Sequence, residues 1–339
     1  MRLFFCVLIA NLASAQANYF DLQQQVIEVF KQRHTSVVRI KAQKLQEIDP
    51  VAAKPRLRLT IGSGFFVSSE GHVLTNSSLV MGMDKILVQY QTDLEFPAEV
   101  IGIDRLSNIS LLKISSLPNT ASFVDCSIHT NQMPPIGQMA IAITCPLQFS
   151  PSPTMGLVSG HESTIGSRPF PTPILRMNID SLPGDSGSPL FGMNGEFMGM
   201  SVATIKEIQS TCVFPARATH RVLVDLLEKG KVQYGTIGLR VVQKSDPEFG
   251  PRLVVTEAIE GKVAHKAGLK KDDLIYATDT GSVRTLGDLQ RAIFFTPIGK
   301  SLLLKVSRQG KFLNISVPIE KLVPKSSPAS AKPSNKEGS

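Results

Sequence analysis

Tryptophan is absent from the 339 residues, and aromatic side chains make up 6% of them. Surfaces that stack sugars or nucleobases are built from such rings, so composition gives that class of partner little support. Apolar runs long enough to cross a bilayer are missing as well. Leu3 to Leu12 is too short for a hydrocarbon layer of about 30 Å, and no later run is long enough. Cysteine is scarce, with Cys6, Cys126, Cys145 and Cys212 in the whole chain, and no Cys-x-x-Cys or His/Cys cluster has metal-ligand spacing. The histidines (His34, His72, His129, His161, His220, His265) are scattered and read as surface or packing residues. No metal and no cofactor is expected. Acidic residues number 28 against 36 lysines and arginines, a formal charge of +8. The basic residues are dispersed, which fits solubility and attraction to anionic surfaces better than a nucleic-acid footprint.

The start of the chain has the form of a secretory leader. Arg2 supplies the positive end, Leu3 to Leu12 the apolar core and Ala13-Ser14-Ala15 the cleavage site, with Cys6 lost on removal. Export then leaves Cys126, Cys145 and Cys212, an odd number, so at most one disulfide forms and the sequence does not choose its partners.

The rest of the chain is organised around Gly184-Asp185-Ser186-Gly187-Ser188-Pro189-Leu190. A serine between two glycines on a tight turn exposes its hydroxyl and frees neighbouring N–H groups to converge on one point, an arrangement that stabilises an oxyanion. An alternating apolar stretch precedes it (Ile174 to Ile179), and a hairpin with Asn194-Gly195 at its turn follows. From Thr35 to about Ala218 the pattern is of short alternating strands, such as Ser36 to Ile40, Ile86 to Tyr90 and Met139 to Ile143, with polar loops at Lys44–Arg58 and Phe149–Thr154. That signature predicts an all-β domain with minor α, of a length that suits two packed six-stranded barrels. Asn18 to Lys31 and Arg221 to Lys231 have helical periodicity.

These motifs, in this order, resemble the trypsin-like proteases of the HtrA (DegP/DegS) family. Gly62-Ser63-Gly64-Phe65 matches its G-S-G-F strand, and Gly71-His72-Val73-Leu74-Thr75-Asn76 its G-Y-I-L-T-N. Val100 to Asp104 with Leu111 to Ile114 matches V-G-x-D and L-K-I, and Gly184 to Leu190 matches G-N-S-G-G-P-L. The resemblance implies a trypsin-like double six-stranded β-barrel followed by one PDZ domain. It divides the chain into a signal peptide (1–15), an N-terminal helix or oligomerisation segment (16–34), the protease-fold domain (35–232), the PDZ domain (233–322) and a disordered tail (323–339). In the last two, Ala264 to Ile275 is similar to P-A-x-x-A-G-L-x-x-G-D-x-I, with Asp272 at the second glycine, while residues 323–339 are Lys/Ser/Pro/Ala-rich.

The same alignment departs from the family where chemistry is done. Its T-N-x-H-V motif places the catalytic histidine where this chain has Ser78, and its T-D-L motif places the aspartate where this chain has Asn108. Ser186 occupies the nucleophile position. A serine hydroxyl is a poor nucleophile without a base, and the triad acts as a unit. The resemblance assigns the oxyanion hole to the N–H groups of Gly184 and Ser186, although Ser188 stands where the family has glycine. That cradle is either a retained binding site or a structural remnant. Thr236-Ile237-Gly238-Leu239 resembles the PDZ carboxylate-binding loop, with Ile237 and Leu239 bordering a place for an apolar C-terminal side chain.

The expected function is that of a catalytically impaired homologue, exported to the periplasm or another extracytoplasmic space. It would bind unfolded proteins or peptide C-termini in a chaperone-like, scaffold or regulatory role. The alternatives are an active endopeptidase that uses Ser186 with a non-standard base, or a subunit that joins active relatives. Assembly as a homo-oligomer, a trimer by resemblance, or as a hetero-oligomer with an active homologue is expected. Neither nucleic acid nor a membrane span is.

Overall fold

The computed structural model describes residues 21–46, 56–91, 94–127, 132–165, 168–246 and 250–322. The expected leader and tail lie outside the described residues. The chain divides into two compact units, one reaching Val232 and the other starting at Gln233.

The first unit opens with a helix over residues 21–33 (α1). Its first lobe contains β1 (Val37–Gln46), β2 (Arg56–Phe66), β3 (His72–Asn76), β4 (Lys85–Tyr90), β5 (Leu94–Pro97), β6 (Glu99–Asp104) and β7 (Ile109–Lys113), with the one-turn helix α2 (Ser77–Val80) after β3. The strands pair in the order β5-β4-β1-β2-β3-β7-β6. Ala98 alone separates β5 from β6, and its N–H donates to Ile86 O. The two ends of the path are thus one bent stretch, and counting it once gives a six-stranded lobe that curls onto itself. Val38, Ile40 and Ala42, alternate residues of β1, are fully buried with Phe66, Val73, Val88 and Leu112. Each of these valine, isoleucine, leucine and phenylalanine side chains contributes about 1.5–3 kcal/mol on leaving water.

The second lobe is a closed barrel of β8 (Met139–Thr144), β9 (Ser152–Ile165), β10 (Arg168–Met177), β11 (Pro189–Gly192), β12 (Phe197–Ile205) and β13 (Ser210–Pro215), in the order β10-β13-β12-β11-β8-β9. Helix α3 (Ala216–Lys229) follows β13, buries Val222, Leu223 and Leu226, and stops at Gly230 in the left-handed region.

The second unit contains β14 (Gly235–Thr236), β15 (Leu239–Asp246), β16 (Gly250–Ala258), α4 (Val263–Lys266), β17 (Leu274–Thr278), β18 (Gly281–Ser282), α5 (Leu286–Phe295), β19 (Ser301–Arg308), β20 (Lys311–Pro318) and β21 (Glu320–Lys321). The main sheet runs β15-β16-β17-β19-β20, and β14 pairs with β21. Thr285 and Asp288 form a reciprocal capping box that starts α5. Asp272, at the position where the resembled motif has glycine, lies at φ +70°. The left-handed region is natural to glycine and is also visited by aspartate, which is why the substitution is accommodated.

Two segments differ from the sequence expectation. Lys44–Arg58 reads as a polar loop, yet β1 runs on to Gln46 and β2 begins at Arg56, with Leu45 opposite Leu57 and Lys44 opposite Arg58. Leucine alternating with cation has the period of a strand, and the polarity masks it. In the proline-rich Phe149–Thr154 stretch, β9 has already begun at Ser152.

Asp273 is fully buried and takes both prongs of Arg308, Nε to Oδ1 and Nη2 to Oδ2, each at 2.7 Å. Arg308→Met would leave that carboxylate unpaired, an arrangement that costs about 3–5 kcal/mol. Urea titration followed by amide exchange on β17 and β19 should show the second unit destabilised by that amount. Cys126, Cys145 and Cys212 are free and buried. Burial pushes the Cys145 thiol up to about 12 and Cys212 to about 11, and raises Cys126 further. Native protein at pH 8 should therefore resist iodoacetamide at all three, and all three should alkylate in denaturant, as read by peptide mass spectrometry.

Candidate functional site

Two glycines set the shape of the loop that carries Ser186. Gly184 has φ +106° and Gly187 φ +90°. A Cβ on Gly187 would lie 2.4 Å from Ser63 O, so only glycine lets the loop press against β2. Ser63, fully buried on β2, uses that proximity. Its N–H donates to Ser186 O (2.8 Å), and its Oγ donates to Gly184 O (2.7 Å).

The N–H groups of Gly184 and Ser186 donate to no other group among the described residues. Their directions are nevertheless fixed. In a trans peptide the N–H points away from the preceding carbonyl. Pro183 O is held by the N–H of Leu147 (3.0 Å) and Asp185 O by the N–H of Ser188 (3.1 Å). Both amides are thus aimed and left without a protein acceptor. Ser188, where the resembled motif has glycine, is buried and supplies one of these anchors.

The Ser186 hydroxyl is half-buried, and its one side-chain partner among the described residues is Asn76, whose Nδ2 donates to Oγ at 2.7 Å. Asn76 ends β3 and is fully buried, and its Oδ1 is left without a partner. An amide of either orientation takes up no proton near neutral pH. Ser78, in the first turn of α2, is exposed, and its hydroxyl makes no hydrogen bond with Ser186 or Asn108. Asn108 lies between the lobes at φ +62°, a conformation asparagine tolerates. Its Oδ1 accepts from Ser77 Oγ (2.7 Å) and Ser78 N–H (3.0 Å), and its Nδ2 donates to Val202 O (2.7 Å). The structure thus brings Asn76 to Ser186 and Asn108 to the backbone of Ser78, while the Ser78 side chain stays apart.

His72 is held elsewhere. It starts β3 four residues before Asn76, about 13 Å along an extended strand. Its Nδ1 pairs with Ser68 Oγ at 2.8 Å, and burial lowers its pKa. Among the described residues no three His, Cys, Asp or Glu side chains gather as metal ligands. No described helix is long and apolar enough to cross a membrane.

In the second unit, Thr236 ends β14, Gly238 turns the chain at φ +69° and Leu239 begins β15. Strand β15 is an edge of its sheet, and α5 packs against β14 and β15. An edge strand beside a helix offers main-chain donors and an apolar wall to an added strand. Ile237 is only 2% exposed and belongs to the core, so of the two bordering residues only Leu239 presents accessible apolar surface.

Asn76, Ser63 and Asp185 are the residues that reading the sequence for chemistry passes over. The first two lie inside the Thr75-Asn76 and Gly62-Ser63-Gly64-Phe65 motifs, which signal their place but not their contacts.

Residues 62–200 match the profile of the trypsin-like peptidase domain, and residues 235–319 that of the PDZ domain. The class of protein is therefore a trypsin-fold domain followed by one PDZ domain. Among curated proteins the chain is similar to the probable periplasmic serine endoproteases DegP-like of Pseudomonas putida (27% identity, 81% of this chain and 58% of the relative) and Chlamydia muridarum (28%, 77% and 54%). The chain thus spans rather more than half the length of the curated relatives it matches. Among solved structures, the HtrA-type protease AlgW with a decapeptide aligns with a TM-score of 0.68 at 20% identity, over 88% of this chain and 99% of that one. A serine endoprotease from Yersinia pestis aligns at 0.59 and 21%, over 88% and 98%. At that identity the structural likeness speaks to the fold alone. The chain thus carries a trypsin-like peptidase domain and a PDZ domain, and over most of its length it is similar to DegP-like proteins of that arrangement.

Asp185, beside Ser186, is buried. Its Oδ2 accepts from Leu182 N–H (2.8 Å), and its Oδ1 has no hydrogen bond of good geometry. Burial holds its carboxyl above the ordinary carboxylate range. Between that range, near 4, and the raised value, the folded protein keeps a proton that the unfolded chain has released, so stability falls as pH rises through the window. Asp185→Asn, which restores the residue of the resembled motif, should remove that slope and raise the melting temperature at pH 7, as followed by calorimetry from pH 4 to 7.

Proposed function

We propose that this chain is an extracytoplasmic HtrA-like protease homologue that binds polypeptide rather than cutting it. The observation that carries the reading is the partner of the Ser186 hydroxyl. Asn76 donates to it, and no histidine, lysine or carboxylate accepts from it among the described residues. Ser78 and Asn108 stand where the family's histidine and aspartate stand, so its triad is degenerate. A hydroxyl whose neighbour is an amide keeps its proton. The two aimed N–H groups of Gly184 and Ser186 still suit a carbonyl or carboxylate oxygen of a bound chain.

The second site of the proposal is the Thr236–Leu239 loop, where a peptide C-terminus would meet backbone donors and extend along β15. Unfolded proteins and peptide C-termini are the partners this supports. The names of the relatives support a periplasmic location, and assembly as a homotrimer, or with an active homologue, is what the resemblance implies.

Reaction of the full chain with a fluorophosphonate probe tests the reading, with Ser186→Ala as control and casein hydrolysis alongside. The expected labelling of the natural chain equals that of the variant, and turnover lies about 10⁶ below a complete triad, which is what loss of the histidine costs in a serine protease. Labelling that disappears in Ser186→Ala would show an activated serine and overturn the proposal in favour of an endopeptidase with another base.

A further inference from the structure

The Thr236–Leu239 loop has a charged neighbour. A Cβ placed on Gly238 would lie 2.4 Å from Lys262 Cβ, 2.7 Å from Cγ and 3.4 Å from Cδ. The aliphatic stem of Lys262 therefore runs alongside the loop backbone, and its ammonium lies two bonds beyond Cδ. Lys262 precedes α4 and is anchored by its own N–H, which donates to Ile259 O; Ile259 N–H in turn donates to Gly238 O. Stem and loop are thus tied by one short chain of hydrogen bonds.

Lys262 Nζ lies 3.0 Å from Glu320 Oε1. That oxygen is buried, yet it accepts no hydrogen bond of good geometry. The pair is a charge contact whose angle falls short of a hydrogen bond, and the distance decides its electrostatics. Glu320 faces Thr236 across the β14–β21 ladder, so carboxylate, ammonium and loop meet at one corner. Side-chain exposure is 50% for Lys262 and 30% for Glu320, which leaves the ammonium within reach of an arriving anion.

Backbone N–H groups donate to a carboxylate and to an amide carbonyl, more strongly to the charged one. A cation beside them adds an attraction that only a free C-terminus feels. The Gly238 N–H is moreover already occupied, donating to Thr236 Oγ1 at 3.2 Å. We infer that Lys262 reads the charge of a peptide C-terminus at this loop, and that Glu320 is the resident anion it exchanges for it; the inference rests on the peptide-binding reading above. Glu320 holds the ammonium in the empty site. An incoming carboxylate takes it over with better geometry, and the strength of the Lys262–Glu320 contact sets the affinity.

The test uses the full chain and two fluorescein-labelled decapeptides ending in valine, one with a free carboxylate and one amidated, read by fluorescence anisotropy. Lys262→Met keeps the stem against Gly238 and removes the charge. It should weaken the free acid by about two- to fivefold, the span of a partly exposed charge pair, and leave the amide unchanged. Glu320→Gln should tighten the free acid by a similar factor, again without moving the amide. The natural chain's preference for the acid should fade with added salt, and that salt dependence should be absent in Lys262→Met. Equal binding of the acid by the natural chain and Lys262→Met overturns the inference alone, as does a shift of both peptides together in Glu320→Gln. Binding of neither peptide by the natural chain overturns it together with the reading it rests on.

Discussion

One buried serine determines what the Ser186 loop can do. Ser63 takes the loop by two carbonyls, and it also accepts the N–H of Cys145 at 2.9 Å while Thr75 Oγ1 donates to its own carbonyl at 2.8 Å. Strands from both lobes are thus joined through a residue with no exposed surface. With these carbonyls drawn inward and those of Pro183 and Asp185 taken by other amides, little freedom is left to the backbone of residues 183–186. The cradle is set by main-chain geometry and so does not depend on a catalytic base being present. This is why a neutral partner for the Ser186 hydroxyl and a pair of aimed N–H groups are compatible in one structure.

The groups that hydrogen-bond to the Ser186 hydroxyl and to the Asn108 side chain are neutral. Asn108 fills the space between the lobes with hydrogen bonds of an uncharged amide, which avoids the desolvation cost of a buried carboxylate. The buried charge sits instead one residue before the serine, on Asp185, where it orients nothing that could take a proton from Ser186. The arrangement spends burial of an acid on loop geometry. In the second unit the balance is different. Asp273 is buried more completely, but a bidentate guanidinium answers it.

Much of this was legible in the sequence, because strands with one buried face alternate visibly. Val38, Ile40 and Ala42 announce β1, and the motifs around Gly64, Asn76 and Ser186 announce where its neighbours turn. The contact between Asn76 and Ser186 was not legible, since it joins residues 110 positions apart and depends on which way a buried amide is packed. The ends of β1 and β2 near residues 44–46 and 56–58 were hidden because cations took alternate places on a strand. The burial of the Ile237 side chain was not legible for a related reason. An apolar residue beside a binding loop can face the guest or the core, and only the pairing of β14 with β21 and the packing beneath it decide.

The first lobe closes through a single residue, and this gives it a seam. Strand β5 serves β4 and strand β6 serves β7, so on either side of Ala98 one edge of the chain carries no ladder. Pro97, with no N–H to offer, stands at this point, and it blunts an edge that would otherwise recruit another strand. A ring of otherwise complete ladders frays at its least paired point. The seam therefore lies where the two ends of the strand path meet, while Ser63 and the loop it holds are attached to β2 at the middle of that path.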